Sequence, residues 1–327
     1  MAIRSGLAAQ LGVAAETTYG TGVTVDHFYE FNSESLAQTI ERIESAGLRA
    51  SNRVLRSDRF VAGKKSVEGE IEAEIASKGF GLLLKAGLGS STISTPSGAT
   101  LARLHRHVLA DPYGQSYTIQ VGRPDTSGTV QPFTYTGCKV SEFSLKNSLD
   151  EFLVGTWNFD GQAETTSTSL ATASYSSSTE LLSWVGGAVT IAGSAVAVVT
   201  DVEISVATGL KTDRYTINSS PTKKEQIISE MTEISGTITA EFDGLTNYNR
   251  FVNGTLAEVV ATWTGQTAIE GSTYPYLKVT LPKCRFDGTT PAVEGPDVLS
   301  IEMPFKALYD GTNEAITIDY LTTDTAS

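Results

Sequence analysis

Val67-Glu68-Gly69-Glu70-Ile71-Glu72-Ala73-Glu74-Ile75 is matched, far along the chain, by Ile234-Ser235-Gly236-Thr237-Ile238-Thr239-Ala240-Glu241-Phe242. Both stretches follow one template: a β-branched residue, any residue, Gly, any residue, Ile, any residue, Ala, Glu, then an apolar residue. Successive side chains of a strand point to opposite faces, so this alternation predicts two half-buried strands with one apolar and one polar side. A nine-residue β pattern recurs easily, so its flanks decide whether the match is a true repeat.

Upstream, Gly47-Leu48-Arg49 with Asn52-Arg53 aligns with Gly209-Leu210-Lys211 and Asp213-Arg214. Downstream, Phe80, Leu83 and Leu84 in one copy and Leu245, Tyr248 and Phe251 in the other are spaced as on a short amphipathic helix. Tyr117-Thr118-Ile119-Gln120-Val121 and Glu258-Val259-Val260-Ala261-Thr262-Trp263 are matching later strands. Cys138-Lys139-Val140 aligns with Cys284-Arg285-Phe286, and each copy closes on an Asp-Gly pair, Asp160-Gly161 and Asp310-Gly311. Matches in a constant order along the chain indicate tandem duplication. The fold expected is therefore mainly β, two homologous β-sandwich or half-barrel domains each carrying a short helix.

The length of 327 residues accommodates two domains. A net charge of −13 argues against sequence-independent gripping of nucleic acid, which relies on Lys and Arg to displace counterions from phosphate. Two cysteines make no disulfide framework and read as small buried hydrophobes. The stretch from Leu7 to Ala15 is too short and interrupted for a secretory signal. The uncharged run from Trp184 to Thr200 reads as a hairpin around Gly193-Ser194 rather than a membrane span.

Residues 1–28 read as an N-terminal arm, residues 29–164 as the first domain, residues 165–187 as a Ser/Thr-rich linker and residues 188–327 as the second domain. Phe28-Tyr29-Glu30-Phe31 opens the first domain, with Asp201 to Val206 as its counterpart. A long loop over 36–66 carries Arg42, Arg49, Arg53, Arg56, Arg59, Lys64 and Lys65, and the corresponding piece of the second domain reads as shorter. Lengthening a loop costs little, so a long charged one points to a retained function.

Catalytic constellations are weak. His105 and His107 share a strand face, but two ligands do not close a metal site, and Arg106 between them suggests a wet surface. Gly20-Thr21-Gly22 and Gly79-Phe80-Gly81 lack the rest of a phosphate-cradling loop, and no nucleophile elbow is present. Glu68, Glu70, Glu72 and Glu74 share one strand face, and like charges at every second position more often line a solvated surface than do acid–base chemistry. No enzyme, cofactor or metal is expected.

The duplicated β-domain, the Ala15-Glu16-Thr17-Thr18-Tyr19-Gly20-Thr21 segment, the Gly-x-Ile-x-Ala-Glu strand and the helix after it together resemble the tail tube, or major tail, proteins of long-tailed, non-contractile bacteriophages. The resemblance spans nearly the whole chain. It implies a virion protein made in the host cytoplasm, without catalytic residues, whose rings stack into a hollow tube with a continuous β-barrel wall. Tape measure, tail terminator and distal tail proteins are implied as partners, with phage double-stranded DNA passing through unbound and no membrane contact. Other virion or surface β-proteins, such as neck, decoration or pilus-like subunits, and a carbohydrate-binding sandwich are the rival classes.

On this footing Glu68, Glu70, Glu72, Glu74, Thr237, Thr239 and Glu241 are candidates to line the channel. The seven basic residues of the 36–66 loop are candidates to touch the next ring, facing an acidic C-terminal region that includes Asp287, Glu294, Asp297, Glu302, Asp310, Glu314, Asp319 and Asp324. Single-domain tail tube subunits form six-fold rings with roughly four wall strands per domain. About two dozen strands spaced ~4.8 Å and tilted ~40° give a backbone diameter near ~48 Å, enough for a duplex. Three two-domain chains would supply that wall, so the expected ring is a homotrimer with pseudo-six-fold symmetry.

Overall fold

The computed structural model describes residues 5–218, 220–288, 290–293 and 295–326. The first half contains β1 (Gln10–Ala15), β2 (Ala37–Glu44), β3 (Phe60–Glu74), α1 (Gly81–Leu88), β4 (Arg103–Val108), β5 (Tyr117–Pro124), β6 (Val130–Ser148) and β7 (Val154–Gly161). The second half contains β8 (Gly187–Ile191), β9 (Val199–Ala207), β10 (Glu233–Glu241), α2 (Leu245–Asn253), β11 (Ala257–Thr264), β12 (Tyr276–Phe286), β13 (Ser300–Ala307) and β14 (Thr317–Thr322). The molecule is mainly β, and these strands pair antiparallel.

One pairing order occurs twice. In the first half β2-β3-β7-β6 form one sheet and β1-β5-β6 a second layer; β9-β10-β13-β12 and β8-β11-β12 repeat this in the second half. The strands β6 and β12 are each shared between two layers. Registers agree residue by residue: Cys138 lies opposite Tyr117 where Cys284 lies opposite Ala257, and Asp160 opposite Lys139 where Lys306 lies opposite Arg285.

Leu11, Ile71, Leu83, Phe143 and Trp157 of the first half and Ile204, Ile238, Val259, Trp263 and Phe305 of the second belong to one buried apolar cluster. The indole N–H of Trp157 donates to the Leu83 carbonyl at 3.1 Å, tying β7 to α1. Glycine in the repeated strand has one physical cause in both copies. A Cβ on Gly69 would strike the Leu36 backbone, and one on Gly236 would strike the Glu203 carbonyl and the Phe305 ring. The preceding hairpin strand crosses too close for any side chain.

Two strand pairings join the halves. Residues 142–148 of β6 pair with 201–207 of β9, from Ser148 opposite Asp201 to Glu142 opposite Ala207, making one sheet through both halves. At the second seam β4 pairs with β14, Val108 opposite Thr317 through Arg103 opposite Thr322.

Several sequence expectations are corrected. Residues 10–15, read as part of an arm, form β1, which pairs with β5 and with His27–Tyr29 and fully buries Leu11 and Val13. The counterpart of Asp201 to Val206 is Ser33 to Gln38, not Phe28 to Phe31, because Glu34 lies opposite Ile71 as Val202 lies opposite Ile238. The two excursions are nearly equal in length, since Gln38 and Val67 bound one as Val206 and Ile234 bound the other. Arg42 opposite Ala62 then corresponds to Leu210 opposite Ile228, so the Gly47-Leu48-Arg49 alignment is out of register. The 36–66 segment is a β-hairpin rather than a loop. Asp160 lies within β7 and is not a turn residue. Residues 165–187 lie along the first half: Ala171 and Ser169 carbonyls accept from Gln10 and Gln120, and Leu182 is fully buried.

Candidate functional site

Cross-strand neighbours in an antiparallel sheet lie on the same face, so the registers show which polar side chains stand together. Glu72 of β3, Thr156 of β7, Ser144 of β6, Ser205 of β9, Ser235 of β10 and Lys306 of β13 form one row across both halves. The adjacent rows hold Glu74, Lys146, Glu203 and Thr237, and Glu70, Asn158, Glu142 and Glu233. All seven residues expected at the channel, Glu68, Glu70, Glu72, Glu74, Thr237, Thr239 and Glu241, therefore share one face of one sheet, opposite the core. Its bases are few and engaged. Lys146 approaches Glu203 at 3.8 Å and Lys306 meets Glu233 at 2.7 Å. The face is acidic on the β3 side and largely hydroxyl on the β10 side.

At one end of this face the second half's excursion folds onto the first half. Its tip, residues 212–226, inserts Lys223 against Asp160, both almost wholly buried, and Gln226 also donates to Asp160. Lys139 donates to Glu225 at 2.7 Å and to the Pro112 and Gln226 carbonyls at 2.8 and 3.1 Å. Burial raises the Asp160 pKa, partly offset by the Lys223 hydrogen bond, and burial lowers that of Lys139 against the pull of Glu225. Desolvation is the larger influence on both, as expected for ion pairs withdrawn from water.

The first half's excursion projects instead. Arg42 is on β2 and Arg59 just before β3, with Arg49, Arg53 and Arg56 in the tip between; Arg56 pairs with Asp58 at 2.7 Å. The projection exposes Ile43, Leu48, Val54, Leu55, Phe60 and Val61, an apolar content that the count of basic residues obscured in the sequence. Lys64 and Lys65 do not belong to it. Lys64 lies over the Tyr215 ring at 5.1 Å, and the Lys65 backbone bonds Pro221 and Tyr215 of the other excursion.

The C-terminal acids do not gather opposite this arm on one surface. Asp319 is buried beside Arg106 at 2.7 Å, Asp324 accepts from the Gly79 N–H at 2.6 Å, Asp310 caps its own turn, Asp287 pairs with Arg285 and Glu302 stands on the polar sheet face. Glu294 lies outside the described residues.

His105 and His107 are fully buried at the β4–β14 seam, whereas Arg106 between them faces water, so the wet-surface reading holds for the arginine alone. The His105 Nε2 bonds the Asp324 carbonyl at 2.8 Å; both ring nitrogens of His107 lack a partner among the described residues. Burial, reinforced by His105, lowers the His107 pKa to about 3. Among the described residues no group of three His, Cys, Asp or Glu side chains is placed to hold a metal, and no helix is long and apolar enough to cross a membrane. Cys138 and Cys284 are buried, and burial pushes the Cys284 thiol up to about 12.

No curated protein matches the sequence. A family model described as phage tail tube protein matches residues 6–307, which takes in the β6–β9 seam and the whole polar face and stops short of β14. The chain belongs to the phage tail tube protein family.

Proposed function

We propose that this chain is the repeating subunit of a tail tube, a structural protein without catalysis, and that three copies close each ring. Each copy brings two tandem domains, 29–164 together with β1 and 188–327, joined by 165–187. The supporting observation is the β6–β9 seam. It joins two halves edge to edge and leaves, among the described residues, both outer edges of the joined sheet unpaired, β2 on one side and the outer side of β13 at residues 300–303 on the other. Unpaired strand edges invite pairing with another copy. Eight wall strands per chain, four from each half, bring three chains to the two dozen that suit a duplex.

In this reading the acidic face lines the channel. Duplex DNA carries about one charge per ~1.7 Å of axis, so an acidic or hydroxyl wall lets it slide where a basic wall would hold it. The arm bearing Arg42, Arg49, Arg53, Arg56 and Arg59 reaches the neighbouring ring. Tape measure, tail terminator and distal tail proteins complete the partners, and the assembled protein resides in the virion.

Electron microscopy of the purified chain tests the assembly. Tubes of constant bore with three chains per ring are expected; six identical chains per ring would refute the trimer, and closed shells or monomers would refute the tube. Replacing Glu68, Glu70, Glu72 and Glu74 with Lys is expected to slow genome ejection from particles whose tubes still form. Unchanged ejection kinetics would remove those glutamates from the channel argument.

A further inference from the structure

The lateral joining proposed above raises the question of what decides which halves meet. On the first half, Asp160 and Lys139 lie opposite each other at the end of the polar face, and Lys223 and Glu225 of the same chain cover them. The equivalent positions of the second half are Lys306 and Arg285, also opposite each other. Here no tip covers them among the described residues, and both side chains remain partly exposed, 38% and 48%. The first seat presents an acid where the second presents a base.

The strand entering the first seat is β9. Beyond its end the Thr208 N–H donates to the Ser141 carbonyl at 2.9 Å and the Thr208 hydroxyl to the Val140 carbonyl at 3.1 Å, which brings the chain to the residue next to Lys139. In the repeat β2 is the counterpart of β9. Gln38 lies opposite Val67 as Val206 lies opposite Ile234, so Ile40 corresponds to Thr208 and Glu41 to Gly209. Glu41 is exposed and has no ion-pair partner among the described residues.

We propose that Glu41 of one copy docks against Arg285 and Lys306 of the next, and that the exchange of Asp160 for Lys306 between equivalent seats fixes the order in which halves join. The first seat holds one acid and one base, Asp160 and Lys139, already covered by Lys223 and Glu225, so that Glu41 there would meet two acids as well as two bases; at the second seat it meets two cations. Specificity of this kind comes from repulsion at the wrong site as much as attraction at the right one. The present partners, Asp287 for Arg285 and Glu233 for Lys306, form exposed pairs of the kind that contribute little, so exchanging them costs little.

The test compares assembly of the wild-type chain with Glu41→Lys, with Arg285→Glu/Lys306→Glu, and with the triple variant, by light scattering and negative-stain microscopy. Circular dichroism checks that each is folded. The first two variants are expected to assemble roughly tenfold more slowly or worse, and the triple variant to regain most of the rate. Glu41→Ala, which removes attraction without adding repulsion, keeps the test readable if a reversal variant misfolds. Wild-type rates in the reversal variants, or in Glu41→Ala where a reversal misfolds, would overturn the pairing, as would a triple variant no faster than its parents; each leaves the tube reading intact. A wild-type chain that forms neither rings nor tubes would overturn that reading and this pairing with it.

Discussion

Residues 45–59 and 212–226 are the tips of equivalent hairpins of nearly equal length, yet one projects and the other is folded down. Both tips carry cations. The difference lies in what each finds beneath it. The second tip meets Asp160, Lys139 and the carbonyl of Gly137, all supplied by the half to which β9 is already paired. The first tip extends from β2, whose outer edge pairs with no strand among the described residues, and its apolar side chains stay in water. An excursion's pose thus follows the surface at the next strand position, and in the proposed tube a projecting tip marks the place that a second copy covers.

The most drastic way to break this comparison is to delete residues 46–59. The tip contributes nothing to the buried apolar cluster, so the shortened chain is expected to fold with little change in melting temperature and to fail to polymerise. Normal tubes from the deletion would mean that the projecting tip is not an assembly element. Removing the docked tip's anchor is the opposite manipulation. Asp160→Ala leaves the Lys223 ammonium buried without its counter-ion, which is expected to cost about 3 kcal/mol in urea unfolding. Amide hydrogen exchange across 212–226 should accelerate in the same variant. If exchange there is unchanged, the docked pose does not depend on the ion pair.

A smaller effect, set by pH, asks whether docking also needs the halves clamped at β4–β14. The His107 pKa is about 3 in the fold and near 6.5 when unfolded, so below pH 6.5 the unfolded chain binds the extra proton and stability falls as acidity rises. From pH 7 to pH 5 the loss is roughly 2 kcal/mol. His105, Asp319 and Lys85 act on the same site, and His107→Phe is expected to flatten the profile. A variant with the wild-type slope would move the titration elsewhere.

Much of this was legible in the sequence. The repeated strand could be read because a half-buried strand must alternate, and that constraint is local to nine residues. Cys138 and Cys284 align in the structure as they do in the sequence because each is a buried position opposite the start of a matching strand. The short helices follow from the spacing of Phe80, Leu83 and Leu84 and of Leu245, Tyr248 and Phe251. The shared polar face of the seven channel candidates also follows from alternation, once both strands lie in one sheet.

The sequence by itself determined the β class, the duplication and the amphipathic character of β3 and β10, since each is written in residues close together along the chain. Only the tertiary structure decided the rest, because it depends on partners far away in sequence. The strand β1 reads as an arm until β5, about a hundred residues later, buries Leu11 and Val13. His105 and His107 look wet beside Arg106 until β14 covers their side of β4. Two excursions of similar length and charge take opposite poses because one finds Asp160 beneath it and the other finds no further strand among the described residues.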